Sequence, residues 1–184
     1  MNAKKIQLTA LCLGLFAASI AHADKMLNSQ KIIPNLNSAL TTLQTQTSLP
    51  SIFPTQIPKN PTLSTFYLYT DPTLVSNNSY TISIDSTSTC KGAHYCQVGA
   101  LTVTTAGQAQ IYKDMNGNVL TKTINLTPTQ QASYTPGHAM GDYWAPMLEW
   151  RAGAYFYHLN WQVRDQAALV KTALSLKPYV APLK

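Results

Sequence analysis

Cys90 and Cys96 enclose the stretch Cys-Lys-Gly-Ala-His-Tyr-Cys. Thiols this close either join covalently or take part in redox exchange, and His94 between them is the residue type that favours a thiolate. Redox pairs usually stand two residues apart at a helix start. These two flank a connection between extended segments, so the spacing points to a structural disulfide. Closing so short a loop stabilises by about 2 kcal/mol on the chain-entropy model.

His94, His138, His158, Asp142 and Glu149 are the other side chains with catalytic or ligating chemistry. His138 and Asp142 share one loop, and with His94 they offer the donor types of a zinc or copper site. No two histidines have the spacing of a metal motif. The chain has no Gly-x-Ser-x-Gly elbow for a nucleophilic serine. For glycosidase-type acid and base work Glu149 is the single glutamate, and its partner would be one of six aspartates. On an extended strand Glu149 alternates outward beside Arg151, as in an ion pair on a solvated face. This reading assigns no catalytic residue, no metal ligand and no cofactor. A small hydrolase or metal enzyme would require at least two of His94, His138, Asp142 and Glu149 to converge.

The aromatic residues gather near the C-terminus. Leu148 and Trp150 fall on one side of a strand, Ala152-Gly153 offers a tight turn, and Tyr155, Tyr157, Leu159 and Trp161 share one face of a second strand. Phe156 and His158 point the other way, so both faces of this hairpin need covering or present a binding surface. Trp144, Trp150, Tyr155, Tyr157 and Trp161 are the candidate lining of a ligand groove, since small-molecule sites are apolar with a few polar groups.

The elements that must position these residues are legible in outline. Ile33, Leu36, Leu40 and Leu43 recur at helical spacing, with Pro34 placed in the first turn. Four prolines between 48 and 61 forbid helix and indicate an extended segment along the domain edge. Strands are expected at 62–69, 79–85, 98–105 and 119–126, the last two joined through the Asn116-Gly117 turn, and then in the aromatic hairpin. Residues 127–141 read as a long loop. A helix follows from Arg164, with Leu169, Val170, Ala173, Leu174 and Leu176 on its buried arc, and stops at Pro178. The expected fold class is α+β: a single antiparallel sheet of about six strands, with an N-terminal and a C-terminal helix packed on it.

Residues 1–23 have a basic start at Lys4 and Lys5, an apolar run and Ala21-His22-Ala23, the three parts of a secretory signal peptide. The apolar run is shorter than the ~20 residues that span a bilayer. The chain is therefore expected to be exported, periplasmic or secreted, with no transmembrane segment after cleavage. The division is signal peptide 1–23, helix and Pro-rich segment 24–61, sheet with C-terminal helix 62–178, and tail 179–184. Hydrophobic residues make up 45% of the 184 and charged ones 11%, enough for one domain with a sizeable core. Without Lys4 and Lys5 the formal charge of +6 falls to about +4, spread without a basic run or basic helix, which argues against nucleic acid.

Leu49-Pro50-Ser51-Ile52-Phe53-Pro54, Tyr80-Thr81-Ile82, the 90–96 loop followed by Gly99, and the Glu149-Trp150…Gly153…Tyr157 hairpin together resemble a group of uncharacterised exported bacterial proteins. The hairpin and a helix ending Ala173-Leu174-Ser175-Leu176 also resemble the end of a bacterial domain of unknown function related to lipoprotein-carrier-like folds. That resemblance implies an antiparallel sheet with packed helices and an apolar groove, and no catalytic residues. The expectation is an exported, non-enzymatic binding module for an apolar or envelope-derived ligand. A structural or partner-docking protein is the alternative, and a small hydrolase or metal enzyme the second.

Overall fold

A computed structural model describes residues 26–60, 62–137, 145–162 and 165–180. In chain order the elements are β1 (Met26–Asn28), α1 (Ser29–Ile32), α2 (Leu36–Gln46), β2 (Ile52–Pro54), β3 (Gln56–Pro58), β4 (Tyr67–Tyr69), β5 (Ser79–Asp85), β6 (Gln97–Thr104), β7 (Lys122–Thr127), β8 (Gln130–Thr135), β9 (Met147–Ala152), β10 (Tyr155–Trp161), α3 (Gln166–Leu174) and β11 (Leu176–Pro178). The mainly-sheet architecture has a large antiparallel sheet, but its strand count corrects the expectation. Among the described residues seven strands run in the order β4-β5-β6-β10-β9-β8-β7, and two small sheets pair β1 with β3 and β11 with β2.

The extra strand is β8, which lies inside the expected loop 127–141. Its Gln-Gln-Ala-Ser-Tyr-Thr sequence is polar, yet Ala132 and Tyr134 alternate inward and are buried. Thr127 pairs with Gln130, so Pro128 stands at the corner of a hairpin, where its fixed φ suits the turn. The Asn116-Gly117 turn has a different role from the one its sequence indicates. It closes a small finger outside the sheet, with Lys113 bridged to Val119, while β6 pairs with β5 and β10, and β7 pairs with β8. Gly117 has φ +82, the left-handed region glycine tolerates.

The N-terminal helix is split. Pro34 has no N–H to continue α1, and α2 begins afresh after Asn35. The Asn35 amide then docks α2 on β4, donating to the Leu68 carbonyl at 2.8 Å and accepting from the Leu68 N–H at 2.9 Å. In α3 the buried side chains are Ala168, Leu169, Thr172 and Ala173, while Leu174 is 52% exposed, so the buried arc is rotated from the expected one. Thr172 can face the core because its hydroxyl donates to the Ala168 carbonyl at 2.9 Å. The chain then leaves the helix, and Leu176 belongs to β11.

One face of the large sheet carries the core. Tyr80, Ile82, Ile84, Leu101, Val103, Leu148, Trp150, Tyr157, Leu159 and Trp161 all lie on it, packed with buried residues of α2, α3, β2 and β3. The buried Tyr80 hydroxyl donates to the Pro50 carbonyl at 2.8 Å and accepts from the Ile52 N–H at 3.0 Å, which fastens the proline-rich segment to the sheet. Burial away from water pushes the Tyr80 phenol well above the usual tyrosine range.

Candidate functional site

The aromatic hairpin is core. Trp150 and Tyr157 stack at 5.1 Å with planes 10° apart, and Trp161, fully buried, meets Phe66 edge-on at 6.0 Å. Trp161 also lies over Gly99, where an added Cβ would stand 2.6 Å from its ring. Tyr155 is half-buried against the same cluster. The groove expected along these residues is therefore filled by their own packing. Trp144, His138 and Asp142 lie outside the described residues.

The opposite face is polar. The register sets Thr123, Ser133, Glu149, His158, Thr102 and Thr81 in one row across six strands. Glu149 corrects the expectation of a solvated pair with Arg151. It is only 3% exposed, its Oε1 lies 3.0 Å from Nδ1 of His158, and its Oε2 accepts the Gln110 N–H at 3.0 Å. The carboxylate accepts, so Nδ1 carries the hydrogen and Nε2 is left over. No hydroxyl among the described residues hydrogen-bonds that nitrogen; the neighbouring Thr102 pairs with Thr81 at 2.8 Å instead. Among the described residues no nucleophile hydrogen-bonds to the pair. What it does is hold a loop.

That loop is residues 105–121, lying over the β9–β10 part of the polar face and carrying the finger. Arg151 Nη2 donates to the Gly107 carbonyl at 2.8 Å, Gly107 rests on the Phe156 ring, and Thr121 meets Thr135 at 2.8 Å. Burial first, and the Glu149 charge second, raise the Tyr112 phenol above its usual range.

A second loop, 86–96, sits on the same face. Cys90 and Cys96 form the disulfide, with Cα atoms 5.8 Å apart. Asp85, 1% exposed, accepts from the Ser83 hydroxyl and, at 2.9 Å, from the Gly92 N–H. Lys91 and Gly92 both have positive φ, so the loop is tightly bent. Next to it opens a cleft of about 510 Å³ walled by His94, Tyr95, Gln97, Asn160 and Gln162.

A third feature lies away from this face. A groove of about 470 Å³ runs between α1–α2 and the β2–β11 pair, lined by Ile33, Leu36, Leu40, Phe53, Pro178 and Tyr179, with Lys177 at its border. The Tyr179 hydroxyl is buried and has no hydrogen-bond partner among the described residues.

No family model, curated protein or solved structure matches the chain. Function therefore rests on the sites themselves. Among the described residues no three His, Cys, Asp or Glu side chains gather as a metal site requires, and no helix is long and apolar enough to cross a membrane.

Sequence reasoning missed both openings. The groove residues Ile33, Leu36 and Leu40 read as core, and nothing local announces that β11 returns to β2. The Glu149–His158 pair was missed because the turn falls at Gly153-Ala154 and not at the expected Ala152-Gly153, and the shift sets Glu149 opposite His158 in place of Phe156. Gly153, with φ +59, is the first central residue of that turn, as the II′ type demands.

Proposed function

We propose that the protein is an exported, non-enzymatic module that binds a single-chain amphiphile in the groove between α1–α2 and β11. The apolar lining of that groove carries this reading. The surrounding Ile33, Leu36, Leu40 and Phe53 suit an alkyl chain, and Lys177 suits an anionic head. Export is supported by the leader-like first 23 residues and by the disulfide, which persists in oxidising compartments.

Palmitate is the direct probe. Asn37 lines the groove from the exposed side of α2, so Asn37→Trp fills the groove without entering the core. Binding by the parent protein and a loss of about tenfold or more in the variant, at unchanged melting temperature, are the expected results. Absence of palmitate uptake by the parent, or equal uptake by both proteins, defeats the proposal.

A further inference from the structure

The cleft beside the disulfide loop has a different chemistry from the groove, and we propose that it is a saccharide site, taking a neutral oligosaccharide. Its described lining holds no Lys, Arg, Asp or Glu. Among the described residues a phosphate or carboxylate ligand would find no Lys or Arg there, and a cationic ligand no Asp or Glu. The lining supplies amides, an imidazole and a phenol over a floor of Val98, Gly99 and Met147. Each amide is both donor and acceptor, which is what a row of hydroxyls needs.

Three observations separate this cleft from an ordinary surface dip. Tyr95 is 90% exposed, an aromatic ring held in water at the cleft wall. Its loop is fixed by the Cys90–Cys96 bond and by the buried Asp85 carboxylate on Gly92, so the ring needs little further ordering on binding. A flat aromatic face of that kind packs on the apolar C–H face of a sugar ring while its hydroxyl stays wet. Asn160 is half-buried on the same face, and its amide makes no hydrogen bond with any described residue. Gln97 and Gln162, by contrast, are already engaged, with Ser83 Oγ at 2.8 Å and the Gln97 carbonyl at 2.6 Å. They build the wall, whereas Asn160 and Tyr95 remain to meet a ligand. The volume of about 510 Å³ falls within the ~300–1,000 Å³ typical of small-ligand sites.

The test is an amide-resolved NMR titration of the purified protein with chitotetraose, cellotetraose and maltotetraose in turn. At least one should shift the resonances of Tyr95, Gly99 and Asn160 in a saturable way. Tyr95→Ala and Asn160→Ala should each weaken that binding about tenfold or more, with the rest of the spectrum unchanged; both positions lie outside the core, so the fold survives. Asn37→Trp in the distant groove should leave saccharide binding as it is. If none of the three shifts these resonances at millimolar concentration, or if Tyr95→Ala binds as well as the parent, the proposal is overturned. Neither result depends on palmitate, so this proposal and the amphiphile reading fail separately.

Discussion

The two loops on the polar face are held by the same device and differ in one respect. Loop 86–96 is tied by buried Asp85, and loop 105–121 by buried Glu149, each carboxylate accepting a backbone N–H of the loop it holds. Only the first is also cross-linked. A short loop with a disulfide keeps its form when one tie is cut, because its unfolded alternatives are already few. The longer loop has no covalent limit, so its place depends on Glu149, Arg151 and the Gly107 contact with Phe156. The cross-linked loop walls the cleft, and the other carries a finger with exposed Ile111, Met115 and Val119.

Cutting the Glu149 tie should have the largest effect. Glu149→Ala leaves the Gln110 N–H and His158 without their acceptor and should cost about 3 kcal/mol. Hydrogen exchange should rise across 106–121 and stay low in 90–97. Equal loosening of both loops would show that the carboxylate supports the whole sheet and not one loop.

Next in size is the double substitution Cys90→Ser with Cys96→Ser, expected to cost about 2 kcal/mol in chemical denaturation. The Gly92 amide should keep its slow exchange, because Asp85 still accepts from it. Loss of that protection would mean that the disulfide, and not Asp85, places the loop. Gly107→Ala should cost about 1–2 kcal/mol, since its Cβ would stand 2.7 Å from the Phe156 ring and the loop must lift.

The smallest effect is on alkaline titration. Tyr112 keeps its proton in the folded loop above the pH at which the unfolded chain releases it. Its contribution to stability is whole below about pH 10 and is lost as pH rises toward the folded value. Tyr80, Tyr134 and Tyr157, raised mainly by burial, add to the same alkaline weakening of the sheet. In Glu149→Gln the Tyr112 absorbance transition should move down toward the ordinary range, while Tyr80 should not shift. An unmoved Tyr112 would show that the Glu149 charge does not reach it.

The legible parts of the fold were those where burial writes a period into the sequence. Tyr80, Ile82 and Ile84 announce β5, the aromatic hairpin announces β9 and β10, and both helices appear near their places. β8 was hidden because two buried side chains, Ala132 and Tyr134, sit among hydroxyls and amides, and a strand in the interior of a sheet takes its stability from both neighbours. Glu149 misled for a related reason. Alternation says which face a side chain joins, and it correctly kept Glu149 off the Trp150 face. It does not say whether a loop from 39 residues earlier, here Gln110, will cover that face. The openings are less legible still, since the groove exists only where β11 meets β2, and the cleft only where the 90–96 loop meets the end of β10.

Native mass spectrometry of the protein purified from the cells that make it, with the denatured mass of the same sample, tests the binding-module reading most directly. The account predicts a native mass above the denatured mass by the mass of one amphiphile. The excess should disappear on denaturation and be absent from Asn37→Trp. A bare chain that takes up no palmitate when the lipid is supplied would contradict it.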